Sequence, residues 1–409
     1  MSGVGSAPDV RAPRGVVVLL AVLTMIGPFT IDTIFPAFPA LSTDLGVGPV
    51  AVQQTVSVYM LTFAVFSLAH GPLSDALGRR PVILAGMTAY ALASAVCAVA
   101  PSLGVLLAGR VLQGVVAGAG LVVTRAVARD LFPPHQAQRA MATMSMIFAV
   151  APALAPVIGG WLLTWTSWRG IFWFLAAYAV LATAVTWFLL PESHPVAART
   201  AFRPGALVAS LASASRDPAV LRVCLAIAAG FAAMFLYIAS APAIVAGLLH
   251  LGPQDYWVQF LPMVSAMVVG SWVVGRLSGR VSTRGLIALG LVVLTLGALV
   301  QLVLTAVVHV STLPGVLVGM ALASFGVSVV FPVATVALMD LRPTQRGTVS
   351  SLQSALANAG NAAVSGALSP LVSGSFVGLA LGSAALVVVA GTLWGLHFRF
   401  SGPAGSPSG

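Results

Sequence analysis

The sequence predicts an all-α polytopic membrane protein: twelve spanning helices arranged as two pseudo-symmetric six-helix bundles, with both termini cytoplasmic. Three observations lead there. Apolar residues make up 59% of the 409 positions and charged residues only 7%, against roughly 25% charged in soluble proteins. The apolar residues gather into runs of about 20, the length an α-helix needs to cross a ~30 Å hydrocarbon core. The arginines, finally, collect between alternate runs.

In chain order the expected spans are 15–38, 51–71, 81–100, 103–125, 140–163 and 170–190, then 218–243, 256–276, 285–307, 312–338, 347–371 and 376–397. The polar start Met1–Arg14 leads into the first run with no small-residue cleavage site after it, so that run reads as a retained span and not a signal peptide. One extended polar segment, with prolines, serines and three arginines, lies between spans six and seven. It divides the chain into 1–190, an N-terminal bundle; 191–217, a cytoplasmic linker; and 218–409, a C-terminal bundle with a short polar tail.

All 19 basic residues are arginine. With the N-terminus in the cytoplasm and the spans alternating, Arg11, Arg14, Arg79, Arg80, Arg125, Arg129, Arg139, Arg199, Arg203, Arg216, Arg222, Arg276, Arg280, Arg284, Arg342, Arg346 and Arg399 fall on the cytoplasmic side. Only Arg169 falls outside, and Arg110 lies within a span. Such a bias is the positive-inside signature. The net charge of +10 is therefore accounted for by topology, and nucleic acid is not expected as a partner. Cys97 and Cys224 lie far apart inside apolar runs, without metal-ligand spacing, and read as packing residues.

Between the second and third runs stands Gly71-Pro72-Leu73-Ser74-Asp75-Ala76-Leu77-Gly78-Arg79-Arg80-Pro81. Gly71 and Gly78 would let two helix ends approach, and Asp75 can pair with a guanidinium, so the stretch reads as a tight, positively charged cytoplasmic turn. It resembles the G-x-L-a-D-r-x-G-r-k signature between helices 2 and 3 of the major facilitator superfamily, which implies the major facilitator fold. The resemblance further implies that Gly71, Asp75, Gly78, Arg79 and Arg80 form a conformational latch; the plainer reading is a purely topogenic turn. Aligning Gly71–Pro81 with Gly275–Gly285 pairs Leu73 with Leu277, Ser74 with Ser278 and Arg80 with Arg284, as an internal duplication predicts. The second copy has Gly279 in place of Asp75.

Two ionisable residues stand out inside spans, Asp32 in the first and Arg110 in the fourth. Either costs about 2.5–3.5 kcal/mol at mid-membrane on insertion scales, which makes both functional candidates. Asp32 lies roughly 9 Å from the outer end of its span and Arg110 roughly 10 Å from the outer end of its own, at 1.5 Å per residue. The two can therefore meet, and pairing would lower the cost of each. A carboxylate in a cavity of changing hydration can change protonation as the site opens and closes. Asp32 is accordingly expected to carry a proton with Arg110 as its partner; a static ion pair joining two helices is the alternative.

Gly27-Pro28-Phe29-Thr30-Ile31-Asp32 and the following Phe35-Pro36-Ala37-Phe38-Pro39 resemble the first-helix signature of the Bcr/CflA branch of drug:proton antiporters. Arg110-Val111-Leu112-Gln113-Gly114 with Gly118 resembles the R-x-x-Q-G-x-G motif, which implies that Arg110 takes part in proton coupling. Ala151-Pro152-Ala153-Leu154-Ala155-Pro156-Val157-Ile158-Gly159-Gly160 resembles the antiporter motif in this branch's A-P-x-x-G-G form. Ala155 departs from the Gly-Pro of the general motif. Trp168-Arg169-Gly170-Ile171-Phe172 resembles a W-R-x-x-F element. Read without the resemblance, Pro152 and Pro156 remove backbone bonds within one span, and Gly159 and Gly160 permit close helix contact.

Other polar residues in spans are candidates to line a substrate cavity: Tyr59, Gln113, Tyr237, Asn358 and Asn361. Gln113 shares a face with Arg110, three positions away. Each is as well suited to hydrogen-bond between helices as to touch a ligand. The sequence contains no metal cluster, catalytic triad or phosphate loop, and no lysine to complete one, so neither an enzyme, nor ATP coupling, nor a cofactor is expected.

The resulting expectation is a monomeric, proton-coupled antiporter in the bacterial inner membrane. It would export small apolar or amphipathic drugs, of the chloramphenicol or bicyclomycin kind that the resemblance implies. Export of sugars or other metabolites on the same fold is the alternative, and it would call for more polar residues in the spans.

Overall fold

The computed structural model describes residues 15–400, and Arg11, Arg14 and the polar tail lie outside them. Among the described residues eleven helices are long and apolar enough to cross a membrane. We label the membrane helices α1 (Val16–Leu45), α2 (Pro49–Leu77), α3 (Arg79–Ala98), α4 (Leu103–Leu131), α5 (Pro134–Trp165) and α6 (Trp168–Leu189), then α7 (Pro218–Ala239), α8 (Trp257–Leu277), α9 (Thr283–Val307), α10 (Gly315–Asp340), α11 (346–372) and α12 (Phe376–Phe400). The stretch α11 takes the place of the expected eleventh span but is the more polar one, with Gln353, Asn358 and Asn361 on it.

One expectation is corrected. The Gly71–Leu77 stretch is not a turn: α2 runs through it, Pro72 included, and Gly78 alone joins α2 to α3. Gly78 can do this because it adopts φ +102°, a region nearly closed to residues with a Cβ. In the aligned second copy α8 stops at Leu277, the counterpart of Leu73, and Ser278–Ser282 form a true loop before Ser282 caps α9. The repeat thus preserves sequence better than conformation. Within the linker, Pro204–Ser215 is helical. Where it ends, Asp217 caps α7, accepting from the amides of Ala219 (2.9 Å) and Val220 (3.4 Å) and from Arg342 Nε (3.1 Å). Desolvation pushes this carboxyl up, but those bonds outweigh it and leave it below its ordinary range. Its contribution to stability is therefore present above about pH 3.9 and is lost as pH falls through the lower folded value.

The helix ends meet in a consistent pattern. Arg80 at the start of α3 lies over Trp187 at the end of α6, and Arg222 near the start of α7 lies over Phe400 at the end of α12. At the opposite face Arg169, at the start of α6, bonds Asp44 at the end of α1 and the Ala100 carbonyl beyond α3. The arginine-rich ends therefore share one face and Arg169 the other, as the arginine count predicts.

The buried apolar residues explain how the helices are held. At the arginine-rich end they form two separate clusters, one from residues between 16 and 190, the other from residues between 214 and 394. Toward the opposite end one cluster draws on both sets, joining Phe35, Val52, Val56 and Ala155 to Ala239, Val245, Tyr256 and Val364. The two six-helix sets are thus packed together at one end and apart at the other.

Close backbone approach depends on small residues. Gly114 and Gly118 share a face of α4; a Cβ on the first would overlap Thr62 and the Tyr59 carbonyl, and on the second would lie 2.6 Å from the His70 ring. Gly114→Ala is expected to cost about 1–3 kcal/mol through overpacking and to lower the melting temperature of the purified protein. Gly391→Ala, where a Cβ meets open space, is expected to leave it unchanged.

Candidate functional site

The site begins with a helix that cannot run unbroken. Pro28, Pro36 and Pro39 lack the N–H that an α-helix uses, and α1 is accordingly split into Val16–Thr24, Ile26–Asp32, the 3₁₀ turn Phe35–Ala37 and Phe38–Leu45. Asp32 ends the second piece and is buried, 4% exposed. Carbonyls in the last turn of a helix lack intrahelical donors, and one of these, Thr30 O, is taken from outside the helix.

The donor is Arg110, which is 0% exposed. Its Nη1 donates to Thr30 O (3.0 Å) and to Gln113 Oε1 (2.9 Å), and its Nε donates to Thr55 O (2.8 Å). The guanidinium also lies 4.8 Å from the centre of the Tyr59 ring, a favourable cation–π placement. Gln113 Nε2 passes the network on to Ser94 Oγ (2.8 Å), and Tyr90 OH meets Thr30 Oγ1 at 2.5 Å. Four helices, α1 to α4, are joined through one buried cation.

The expected Asp32–Arg110 ion pair is absent from this conformation. The two residues do lie in one neighbourhood, but the guanidinium spends its Nε and Nη1 donors on neutral carbonyls and a side-chain amide. The reason is local: the break in α1 exposes a carbonyl nearer to Arg110 than the carboxyl is. Three buried polar atoms here have no hydrogen-bond partner, namely Arg110 Nη2, Tyr59 OH and Thr33 Oγ1. Gly159 presses α5 onto α1 beside them, since a Cβ there would overlap the Thr33 carbonyl, and Gly160 likewise sits against Pro253 of the second set. Pro152 and Pro156 lie within the continuous helix α5.

The remaining cavity candidates separate. Gln113 has both ends of its amide engaged between helices and is structural in this conformation. Tyr237 is buried with its carbonyl bonded by Gln259 Nε2 (2.7 Å). Asn361 is buried with its Oδ1 unpartnered, while Asn358, half-buried, bonds the Ser354 carbonyl (2.8 Å). Gln53 and Gln54 reach across to the second six-helix set and bond residues 239, 365 and 366.

At the arginine-rich face, Arg79 is the hub. Its Nη1 meets Asp75 (2.5 Å) and Ser74 Oγ (2.6 Å), its Nε meets Asp130 (3.0 Å), and its backbone N–H donates to Glu192 Oε1 (3.0 Å). A carboxylate at the first N–H of α3 suits the positive end of a helix dipole. Arg80 bonds the Trp187 carbonyl (2.6 Å). A Cβ on Gly78 would strike Glu192 at 2.5 Å and Arg199 at 2.7 Å, whereas one on Gly71 would meet nothing within 4 Å. The close approach expected of both glycines thus belongs to Gly78 alone. Asp130 and Glu192 were not singled out from sequence. Their scarcity was the available signal, since a carboxylate on an arginine-rich face must be paired to be worth placing there. Among the described residues no group of histidine, cysteine or acidic side chains could hold a metal ion.

Residues 20–365 match the family described as the Major Facilitator Superfamily. The chain is 33% identical to Multidrug resistance protein D of Escherichia coli (strain K12), over 84% of this chain and 85% of that one. It is 27% identical to the Bicyclomycin resistance protein homolog of Haemophilus influenzae, over 82% and 84%. A solved bacterial homologue of the human lysosomal transporter Spinster shares the fold, with a TM-score of 0.70 at 17% identity over 97% of each chain.

The geometry sets opposite expectations for the two buried charges. Arg110→Lys cannot keep a three-bond fork, and each lost bond to a charged donor is worth about 1.5–3 kcal/mol; a clear fall in melting temperature is expected. Asp32→Asn removes a carboxylate with no cation beside it, so the melting temperature should hold or rise. A fall for both variants alike would indicate a pair.

Proposed function

The chain belongs to the major facilitator superfamily, and on that footing we propose that it is a proton-coupled antiporter. It exports small apolar or amphipathic drugs, of the bicyclomycin or chloramphenicol kind, across the bacterial inner membrane. Its arginine-rich face is cytoplasmic and it works as a monomer. The two six-helix bundles, residues 1–190 and 218–409, rock about the membrane midplane, and the conformation described above is open toward the cytoplasm. The separation of the apolar clusters at the arginine-rich end and their merger at the other support that orientation.

The observation that carries proton coupling is Asp32, a buried carboxyl at the break of α1 with no ion pair. An ionised carboxylate without a partner is unfavourable in an apolar interior, whereas water or a cation at the same site favours it. Opening and closing the cavity therefore changes how readily Asp32 holds its proton. Arg110 acts as the reserve cation: if the break in α1 straightens, Thr30 O regains a helical donor and the guanidinium is released toward Asp32. Substrate and proton thus compete for one site, which is what antiport requires. Asp75, Arg79 and Arg80, with Asp130 and Glu192, hold the arginine-rich ends of the first bundle as a rigid latch during the motion. The unpartnered Asn361 and Tyr59 groups are the polar points that orient a largely apolar substrate.

Everted membrane vesicles with an imposed pH gradient test this reading. The expected result is gradient-dependent uptake of labelled bicyclomycin or chloramphenicol, lowered at least about tenfold in Asp32→Asn, as the loss of an interaction of roughly 1.4 kcal/mol would produce. Uptake unchanged in Asp32→Asn would move the proton site elsewhere. Uptake of a labelled sugar in place of either drug would establish metabolite export.

A further inference from the structure

The end opposite the arginines is closed by four side-chain hydrogen bonds between the two bundles. Gln53 Nε2 donates to Ala239 O (3.0 Å) and to Ser365 Oγ (2.8 Å), Gln54 Nε2 donates to Gly366 O (3.1 Å), and Tyr256 OH donates to Phe35 O (3.1 Å). Among the described residues no ion pair crosses between the bundles at this end; Arg169 and Asp44 both belong to the first. Three of the acceptors are backbone carbonyls of helical segments. In an α-helix such a carbonyl is taken by the N–H four residues on. Four residues after Phe35 stands Pro39, and four after Gly366, which lies in the π-helical turn Val364–Leu368 just before the α-helical Ser369–Val372, stands Pro370. Neither has an N–H to give. The third carbonyl, Ala239, belongs to the last residue of α7, where helix carbonyls are open in any case.

We propose that Pro39 and Pro370 are positioning residues of the outer gate. Each withholds the α-helical donor from the carbonyl four residues before it, keeping an acceptor site on that carbonyl open to Tyr256 or Gln54 of the opposite bundle. The inference rests on the alternating-access reading above. At Phe35 the effect is visible in the backbone: the helix tightens to a 3₁₀ turn, in which Phe38 N–H bonds Phe35 O, and the second lone pair of that oxygen is left for Tyr256. At Gly366 the absent side chain matters as well, because a Cβ would lie 2.7 Å from Ser57 Oγ and 3.1 Å from Gln54 Oε1. Among the described residues the other helix prolines lack this arrangement: Pro332 leaves the Ser328 carbonyl without its α-helical donor, yet no side chain of the first bundle bonds it.

The chemistry suits a gate that must open in every cycle. Neutral hydrogen bonds to carbonyls bias an equilibrium about fivefold each, enough in sum to hold the closed form without trapping it. A charge pair buried between the bundles would be far harder to separate in a low-dielectric interior.

The test measures distances between nitroxide labels at Val50→Cys in α2 and Val308→Cys after α9. Both positions are more than half exposed, whereas the native Cys97 and Cys224 are buried. Pro39→Ala and Pro370→Ala restore a backbone donor and are each expected to raise the ratio of long to short distances about fivefold, with Pro332→Ala unchanged. Tyr256→Phe should match Pro39→Ala, and the two together should exceed neither alone, because both remove one bond. Gln54→Leu should stand in the same relation to Pro370→Ala. Equal shifts in Pro39→Ala and Pro332→Ala, or additive shifts in Pro39→Ala and Tyr256→Phe, would overturn the assignment. If a proline variant does not fold, Tyr256→Phe and Gln54→Leu decide alone, and an unchanged ratio in both rejects the gate. Wild-type distances that never lengthen under any proton gradient would instead reject alternating access itself, and the gate with it.

Discussion

Inside a bilayer no water is available to satisfy a backbone carbonyl, so each one released from a helix must find a donor in the protein. Much of this structure follows from that constraint. The prolines of α1 and α11 release carbonyls at depths where a regular helix would keep them occupied. Arg110, Tyr256 and Gln54 then supply the donors from other helices. A residue type that looks disruptive in one segment thereby becomes the means of joining that segment to another. The same logic explains why the best-buried cation is held by carbonyls and an aromatic face instead of by a carboxylate.

The two ends of the molecule use different chemistry. At the arginine-rich face charged groups dominate: Arg79 gathers Asp75, Asp130 and, through its backbone, Glu192. Here water and headgroups lower the cost of charge, and the bonds tie α2, α3 and α4 to one another and to the linker. At the other face the links between bundles are neutral. Rigid charged clamps within a bundle and soft neutral bonds between bundles form the combination that rigid-body motion needs, because only the second kind must break.

Asp32 stands between these regimes. It is placed by the break in α1, pressed by Gly159 of α5, and set near a cation whose Nε and Nη1 donors are occupied elsewhere while Nη2 has no partner. The arrangement gives the proposed cycle two distinct resting places for Arg110, the open carbonyl of Thr30 and the carboxylate of Asp32. A two-position cation is a physical means by which a conformational change in one helix can alter the protonation of a neighbouring group.

Composition and arginine spacing determined the helical class and the face on which the arginines lie, since these depend on length, hydrophobicity and charge read along one dimension; the eleventh expected span is less apolar than the other eleven. Asp32 and Arg110 were legible for the same reason: a charge inside an apolar run stands out whatever surrounds it. Their separation was not legible, because matching depth along two helix axes does not say which acceptor a guanidinium reaches first once α1 breaks. Nor was the helical state of Gly71–Leu77, or the split between Gln113 as a joint and Asn361 as an unsatisfied group. Asp130, Glu192 and Tyr256 acquire their roles only through partners 51, 113 and 221 residues away. The prolines show the boundary most sharply. Sequence shows that Pro39 and Pro370 each remove the α-helical donor of the carbonyl four residues before; only the tertiary structure decides which side chain of the opposite bundle bonds that carbonyl, because that depends on where two helices distant in the chain are brought together.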